Sequence, residues 1–200
     1  ELIVLAARPS VGKTALALNI ARNVALHPKH PQAVGLFSME MGCSQLVIRL
    51  LCSEARINIK DVRDGRLTQA QWGVDIMRAC DLLHAAPIYI DDMPQLASFE
   101  LRQKARRMKQ DHDVRLIIID YLQLMRPSGG NRSTSREQEV ARLSREIKSL
   151  AKELGIPIML LCQLTRQAEQ GGGRPRLSHL RESGAIEQDA DIVAILHRER

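Results

Sequence analysis

"AARPSVGKT", residues Ala6 to Thr14, decides how the rest of the chain is read. It follows the apolar run "ELIVLA" and opens an amphipathic stretch over 13–26, so it lies between a strand and a helix. In that setting the pattern G-x-x-x-x-G-K-[ST] is a phosphate cradle. Gly12 lets the backbone approach a phosphate closely, and the N–H groups from Ser10 through Val11 to Thr14 converge at a helix N-terminus, where an anion is favoured. Lys13 supplies a point charge for the β- and γ-phosphates, and the Thr14 hydroxyl is a natural Mg²⁺ ligand. Ala7 stands where the pattern has its first glycine; alanine suffices there provided its φ is negative. A chance GKT at a helix start is the competing reading, and the flanking strand and helix argue against it.

Outward from the cradle, further apolar runs have the character of buried strands: "AVGLFSM", "PIYID", "RLIIID", "PIMLLC" and "DIVAIL". Between most of them lie stretches at helical period: "SQLVIRLLCSEA", "TQAQWGVDIMRACDLLH", "SFELRQKARRMKQ" and "REQEVARLSREIKSLAKEL". Thr68 with Gln71, and Ser135 with Gln138, have capping-box spacing, and Gly155 followed by Pro157 closes the long helix. Continuous apolar strands alternating with helices predict an α/β fold, one mostly parallel twisted sheet with helices on both faces. Without an internal repeat or a linker, residues 1–200 are read as one domain. In such sheets ligands bind at the carboxyl ends of the strands.

Polar residues at those ends are therefore the candidates for chemistry. Asp120 ends "RLIIID", where a carboxylate can orient Mg²⁺ through its water shell; an acid capping the next turn is the alternative. Glu40 closes "VGLFSMEMG" and can take the proton of an attacking water; an acid placed before the helix near Ser44 is the alternative. Gln163 follows "PIMLLC", and its amide can sense the γ-phosphate and pass the difference to the loop behind it. A plain loop glutamine is the other reading. Asp91 and Asp92, ending a third strand, are read as acids that support other site residues or as turn chemistry, rather than as ligands.

Composition bounds the partners. The chain has 200 residues, 44% of them apolar and 26% charged, with a net charge of +6, so an anionic partner fits. Aromatics are only 2%, which leaves phosphate contacts rather than base stacking to hold a single strand. No apolar run reaches the roughly 18 residues of a membrane span, and the chain opens on a strand pattern rather than a leader. The four cysteines, Cys43, Cys52, Cys80 and Cys162, form no C-x-x-C pair, as expected of reduced thiols in a cytosolic protein. "HPKH" (His27, His30) reads as a polar loop rather than a metal site.

Two glycine-bearing loops carry the positive charge. "YLQLMRPSGGNRSTSR" contains Arg126, Arg132 and Arg136 and no acid. "LTRQAEQGGGRPRLSHLR" sets Arg166, Arg174, Arg176 and Arg181 against Glu169. On the ligand edge of the sheet they suit a polyanion, though solvated surface loops are the bland alternative. The basic helix "RQKARRMKQ" reads as a solvated face.

Taken together, the chain resembles the C-terminal motor domain of DnaB-type replicative DNA helicases. The likeness rests on "AARPSVGKTALALNIA", "GLFSMEM", "IDDMP", "KARRMKQDH", "LIIIDYLQLM", "REQEVARLSREIKSLAKELGIPI", "LCQLTR" and "HLRESGAIEQDADIVAILHRE", in the family's order and over nearly the whole chain. It implies a RecA-like P-loop NTPase core, with alanine common at the position of Ala7. It also implies ATP and Mg²⁺ at Lys13, Thr14 and the Walker B acid Asp120, water activation by Glu40, and γ-phosphate sensing by Gln163. "LRESG" matches the loop that grips single-stranded DNA, which implicates Arg181, Glu182 and Gly184. The resemblance further implies a 5′–3′ helicase acting as a homohexamer that binds ATP between subunits, with primase and a helicase loader as partners. The implied setting is cytoplasmic and nucleoid-associated, with no membrane.

Family members also carry an N-terminal helical domain, a linker helix and C-terminal strands bearing an arginine finger. The chain reads as a truncated motor lacking these, and is expected to bind nucleotide but hydrolyse it poorly. Alternatives are another RecA-like ATPase of recombination or repair, a nucleotide-switched loading module and, more remotely, a phosphotransferase.

Overall fold

The computed structural model describes residues 1–120, 135–165, 174–180 and 184–198. Six strands, β1 (Leu2–Ala7), β2 (Val34–Ser38), β3 (Ile88–Asp91), β4 (Leu116–Asp120), β5 (Ile158–Gln163) and β6 (Ile192–Leu196), form one sheet in the order β3-β2-β4-β5-β1-β6. Every pairing is parallel. All six carboxyl ends therefore lie along one edge, as the apolar runs predict.

Strand alternation splits the core in two. Leu2, Val4 and Ala6 of β1, Ile117 and Ile119 of β4, and Ile158, Leu160 and Cys162 of β5 point to one face. Leu5, Leu116, Ile118, Met159 and Leu161 point to the other. The first face is covered by α5 (Ser98–His112) and α6 (Arg136–Leu154), and the second by α1 (Lys13–Ala25) and α2 (Cys43–Ala55). α6 shows why the pattern dictates the element. Val140, Leu143, Ile147, Leu150 and Ala151 recur at helical spacing and are all buried. Ser135 and Gln138 exchange reciprocal 3.3 Å hydrogen bonds at its start, and Gly155 ends it at φ 65°. A fully buried leucine or isoleucine stabilises by about 1.5–3 kcal/mol, so this face outweighs the helix's charged exterior.

The helix expected from Thr68 onward departs from regularity. Thr68 and Gln71 do form their capping box, with bonds of 2.9 and 3.2 Å. A π-helical turn over Gln71–Ile76 then precedes α4 (Met77–Ala85). Gly73, a poor helix former, lies within that turn. Two short helices were not legible from periodicity: α3 (Ile59–Arg63), capped by the Asn58 side chain, and α7 (Gly184–Asp189).

Candidate nucleotide site at the strand tips

The loop after β1 solves its backbone problem at two positions. Ser10 takes φ 64° and Gly12 φ 111°. A Cβ on Gly12 would meet nothing within 4 Å, so glycine is needed there for its torsion and not for space. Ala7 has no such demand: it is the buried last residue of β1, its φ is not positive, and it pairs in register with Gln163. That is why alanine serves at the first glycine position.

α1 begins at Lys13, and Thr14 is its second residue. The Thr14 hydroxyl donates to Asp120 Oδ2 at 2.7 Å, and Lys13 Nζ stands 3.7 Å from Asp120 Oδ1. Lys13 is 8% exposed and Asp120 1%. Among the described residues Asp120 Oδ1 is buried without a hydrogen-bond partner. A carboxylate seldom keeps a buried oxygen in that state without a use for it.

Lys13 and Thr14, with Asp120 buried behind them, open onto a cleft of about 420 Å³ lined by the loop from Ala7 to Ala15 except Val11, and by Glu40, Met41, Arg49 and Gln163. Ser10, Gly12, Lys13 and Thr14 thus face one space with Glu40 and Gln163, as expected. The N–H of Val11 instead closes a turn on the Arg8 carbonyl at 3.4 Å. Glu40 is exposed on the loop after β2, and Gln163 ends β5 half-buried. Cys162, next to Gln163, is a packed thiol: burial pushes its pKa up to about 12, against the opposing pull of Lys13.

Two cations in the cleft were missed from sequence. Arg49 comes from α2, and its Nε is buried without a hydrogen-bond partner among the described residues. The available signal was a lone charge inside the apolar run "QLVIRLLC". Arg8 donates from Nη1 to the Leu164 carbonyl at 3.0 Å, while the Leu164 N–H donates to the Ala7 carbonyl at 3.0 Å. Leu164 bridges antiparallel to Leu180, and the Thr165 N–H donates to the His179 carbonyl at 2.8 Å. The phosphate loop is thereby stitched, just beyond Gln163, to the segment that enters "LRESG".

The charged loops fare differently. Arg126, Arg132, Arg166, Arg181 and Glu182 lie outside the described residues, and Gly184 is the first residue of α7. Arg174 and Arg176 are exposed. Arg136, counted in the first basic loop and also at the head of the helical run, belongs to the helix: it opens α6 and pairs with Glu139 at 2.7 Å. The basic face of α5 is solvated as expected and is also paired, with Arg102 and Arg106 on Glu153 and Lys104 on Asp91. His27 and His30 stack 6.0 Å apart, with His27 Nδ1 accepting from backbone N–H groups. Asp91 accepts from the Met93 N–H in a turn, as read, while Asp92 accepts from the Cys43 N–H at the start of α2.

Residues 1–200 match the family described as DnaB-like helicase C terminal domain. The chain belongs to that family. It is 52% identical over its whole length to the replicative DNA helicase DnaC of Bacillus subtilis (strain 168), and 50% identical to the replicative DNA helicase DnaB of Geobacillus stearothermophilus. It spans about 43% of the length of each of these curated relatives. Among solved structures it superposes on a DnaB-like replicative helicase described with its primase interactions, at TM-score 0.92 and 36% identity, covering 100% of this chain and 47% of that one. A second solved chain, described as an ATPase domain, gives TM-score 0.90 and 36% identity over 98% of this chain and 69% of that one. The RecA-like α/β architecture expected of this family is the one observed.

Proposed function

We propose that this chain is the motor of a replicative DNA helicase, binding MgATP in the strand-tip cleft and hydrolysing it to translocate on single-stranded DNA and unwind duplex. The observation that carries the reading is the trio Lys13, Thr14 and Asp120, with contacts of 2.7 and 3.7 Å at the mouth of a phosphate loop. Family membership adds the class of work.

The residues present fit Mg²⁺ and a triphosphate. Asp120 has a buried oxygen in reserve, Thr14 a hydroxyl beside it, and Lys13 a charge held close by. One carboxylate beside one hydroxyl suits Mg²⁺, which takes one or two carboxylates together with substrate phosphates. When bound, Mg²⁺ would neutralise charge on the phosphates and orient them. Lys13 and the amides of Ser10, Gly12, Lys13 and Thr14 hold the phosphates, and Arg49 adds a cation to the cleft lining. Glu40, exposed at the cleft, accepts a proton from the attacking water. Gln163 reads the terminal phosphate, and the stitching from Ala7 and Arg8 through Leu164 to His179 and Leu180 carries the change to the loop bearing Arg181, Glu182 and Gly184. Arg181 and the Gly184 N–H hold the DNA backbone, while Glu182 orients Arg181 or contacts neighbouring loops.

The complete protein acts on this reading as a homohexamer with ATP between subunits, served by primase and a loader, in a cytoplasmic, nucleoid-associated setting. Residues 1–200 are its motor core, with the helical domain and the arginine finger supplied by flanking segments. An arginine finger is worth about 10³–10⁵ in rate where it has been measured in phosphoryl transfer, so residues 1–200 alone are expected to bind nucleotide and hydrolyse it slowly. The test uses the full-length protein: ATP turnover rises with single-stranded DNA, a forked duplex is unwound, and Glu40→Gln stops both while nucleotide still binds. DNA-stimulated turnover without strand displacement would instead favour a recombination or repair ATPase. Unwinding that survives Glu40→Gln would refute the role given to Glu40.

A further inference from the structure

The loop bearing Glu40 is four residues long, Met39–Gly42, and its neighbours fix it unusually well. The Met39 N–H donates to the Asp120 carbonyl at 2.8 Å. The Met41 N–H donates to Ser38 Oγ at 3.2 Å, and the Ser38 hydroxyl donates to the Met41 carbonyl at 2.8 Å. The Cys43 N–H, at the first position of α2, donates to Asp92 Oδ2 at 2.7 Å. Glu40 is thus the projecting residue between pinned neighbours.

The last of these bonds comes from elsewhere in the chain. Gly42 is the N-cap of α2 and has no side chain to cap with, and the first turn of α2 contains no acid. A glycine N-cap leaves the first backbone N–H groups of the helix without a local side-chain acceptor. Asp92 supplies the missing acceptor from the exit of β3, and its charge also complements the positive end of the helix. Its neighbour Asp91 is tied in turn to Lys104 of α5 at 2.5 Å. The cap is therefore anchored on the other side of the sheet. Arg49 rides on the same helix, six residues beyond Cys43.

We propose that Asp92 is a positioning residue for hydrolysis: by capping α2 from the tip of β3 it holds Glu40, and with it Arg49, at the cleft. It is not a catalytic residue, because it does not line the cleft. The grip on phosphate by Lys13, Thr14 and Asp120 is built from β1, α1 and β4, so loss of Asp92 separates turnover from binding. This rests on the hydrolytic reading of the cleft.

In the full-length protein Asp92→Ala is expected to lower kcat about 10- to 100-fold, the scale of a displaced catalytic group. The Kd for a slowly hydrolysed ATP analogue with Mg²⁺ should stay within about threefold, since the phosphate grip of Lys13, Thr14 and Asp120 is untouched. Asp92→Asn keeps an oxygen acceptor and caps as well as Asp, so it should restore kcat to within about threefold of wild type. Should Asp92→Ala fail to fold, Asp92→Ser, too short to reach Cys43, carries the same expectation. The proposal is overturned by a kcat for Asp92→Ala near that of wild type, or by kcat and affinity falling together without rescue by Asp92→Asn. If Glu40→Gln itself turns over normally, it is the reading of the cleft that fails; if Glu40→Gln is inactive and Asp92→Ala normal, only the role of Asp92 fails.

Discussion

At the strand tips Lys13 stands 3.7 Å from Asp120 with both side chains nearly excluded from solvent, whereas on the outer face of α5 and α6 Arg102 and Arg106 share Glu153 in open water. The first arrangement is costly. Two charges are withdrawn from water at a separation too long for a hydrogen bond, and one carboxylate oxygen accepts none. The second costs little and contributes little, because solvent screens it. Both regions were visible in the sequence as charge, yet only the buried one has the unmet capacity of a binding site. Burial and incomplete pairing, more than the number of charges, separate function from surface here.

The comparison is broken most severely at Asp120. In the full-length protein Asp120→Asn should reduce ATP turnover about 10²–10³-fold, as loss of a key electrostatic group does elsewhere. Thr14→Ala should behave similarly and Thr14→Ser should recover, because only the hydroxyl is used; steady-state kinetics against Mg²⁺ concentration reads both. On the outer face Arg106→Ala should leave turnover within about twofold and lower Tm by no more than about 4 °C, checked by thermal melting.

The smallest effect is titration of that surface. Hydrogen bonds from Lys109 hold the Asp113 carboxyl below its ordinary range, Arg106 does so for Glu153, and Lys148 for Asp191. Groups whose folded pKa is depressed stabilise the fold above their unfolded pKa values, about 3.9–4.3, and lose that contribution as pH falls through the folded ones. Melting curves should therefore be flat near neutrality and fall below about pH 4, with a shallower fall in high salt. A stability maximum in acid would contradict the assignment.

How much of this was legible depended on whether a signal was local. The phosphate loop, the strand ending in Asp120 and the α6 helix each carry their pattern within a short local window, so strand order aside they could be read directly. Asp91 serves the turn that its position at a strand end suggests, but the target of Asp92 is not visible in the sequence, since Cys43 lies 49 positions away and the two are brought together by the pairing of β2 with β3. Arg49 was hidden because a single cation on an apolar helix is ambiguous until the helix is docked. α3 and α7 are too short to show a period, and the pairing of Ala7 with Gln163 is a matter of register between strands far apart in sequence.

The central claim is that a nucleotide is held by the amides and lysine at the start of α1, and equilibrium binding tests it most directly. Titrating full-length wild type and Lys13→Ala with a fluorescent ATP analogue in Mg²⁺ should show at least about a tenfold loss of affinity in the variant, the scale of one charge-assisted contact to phosphate. Equal affinity in a folded Lys13→Ala protein would contradict the account.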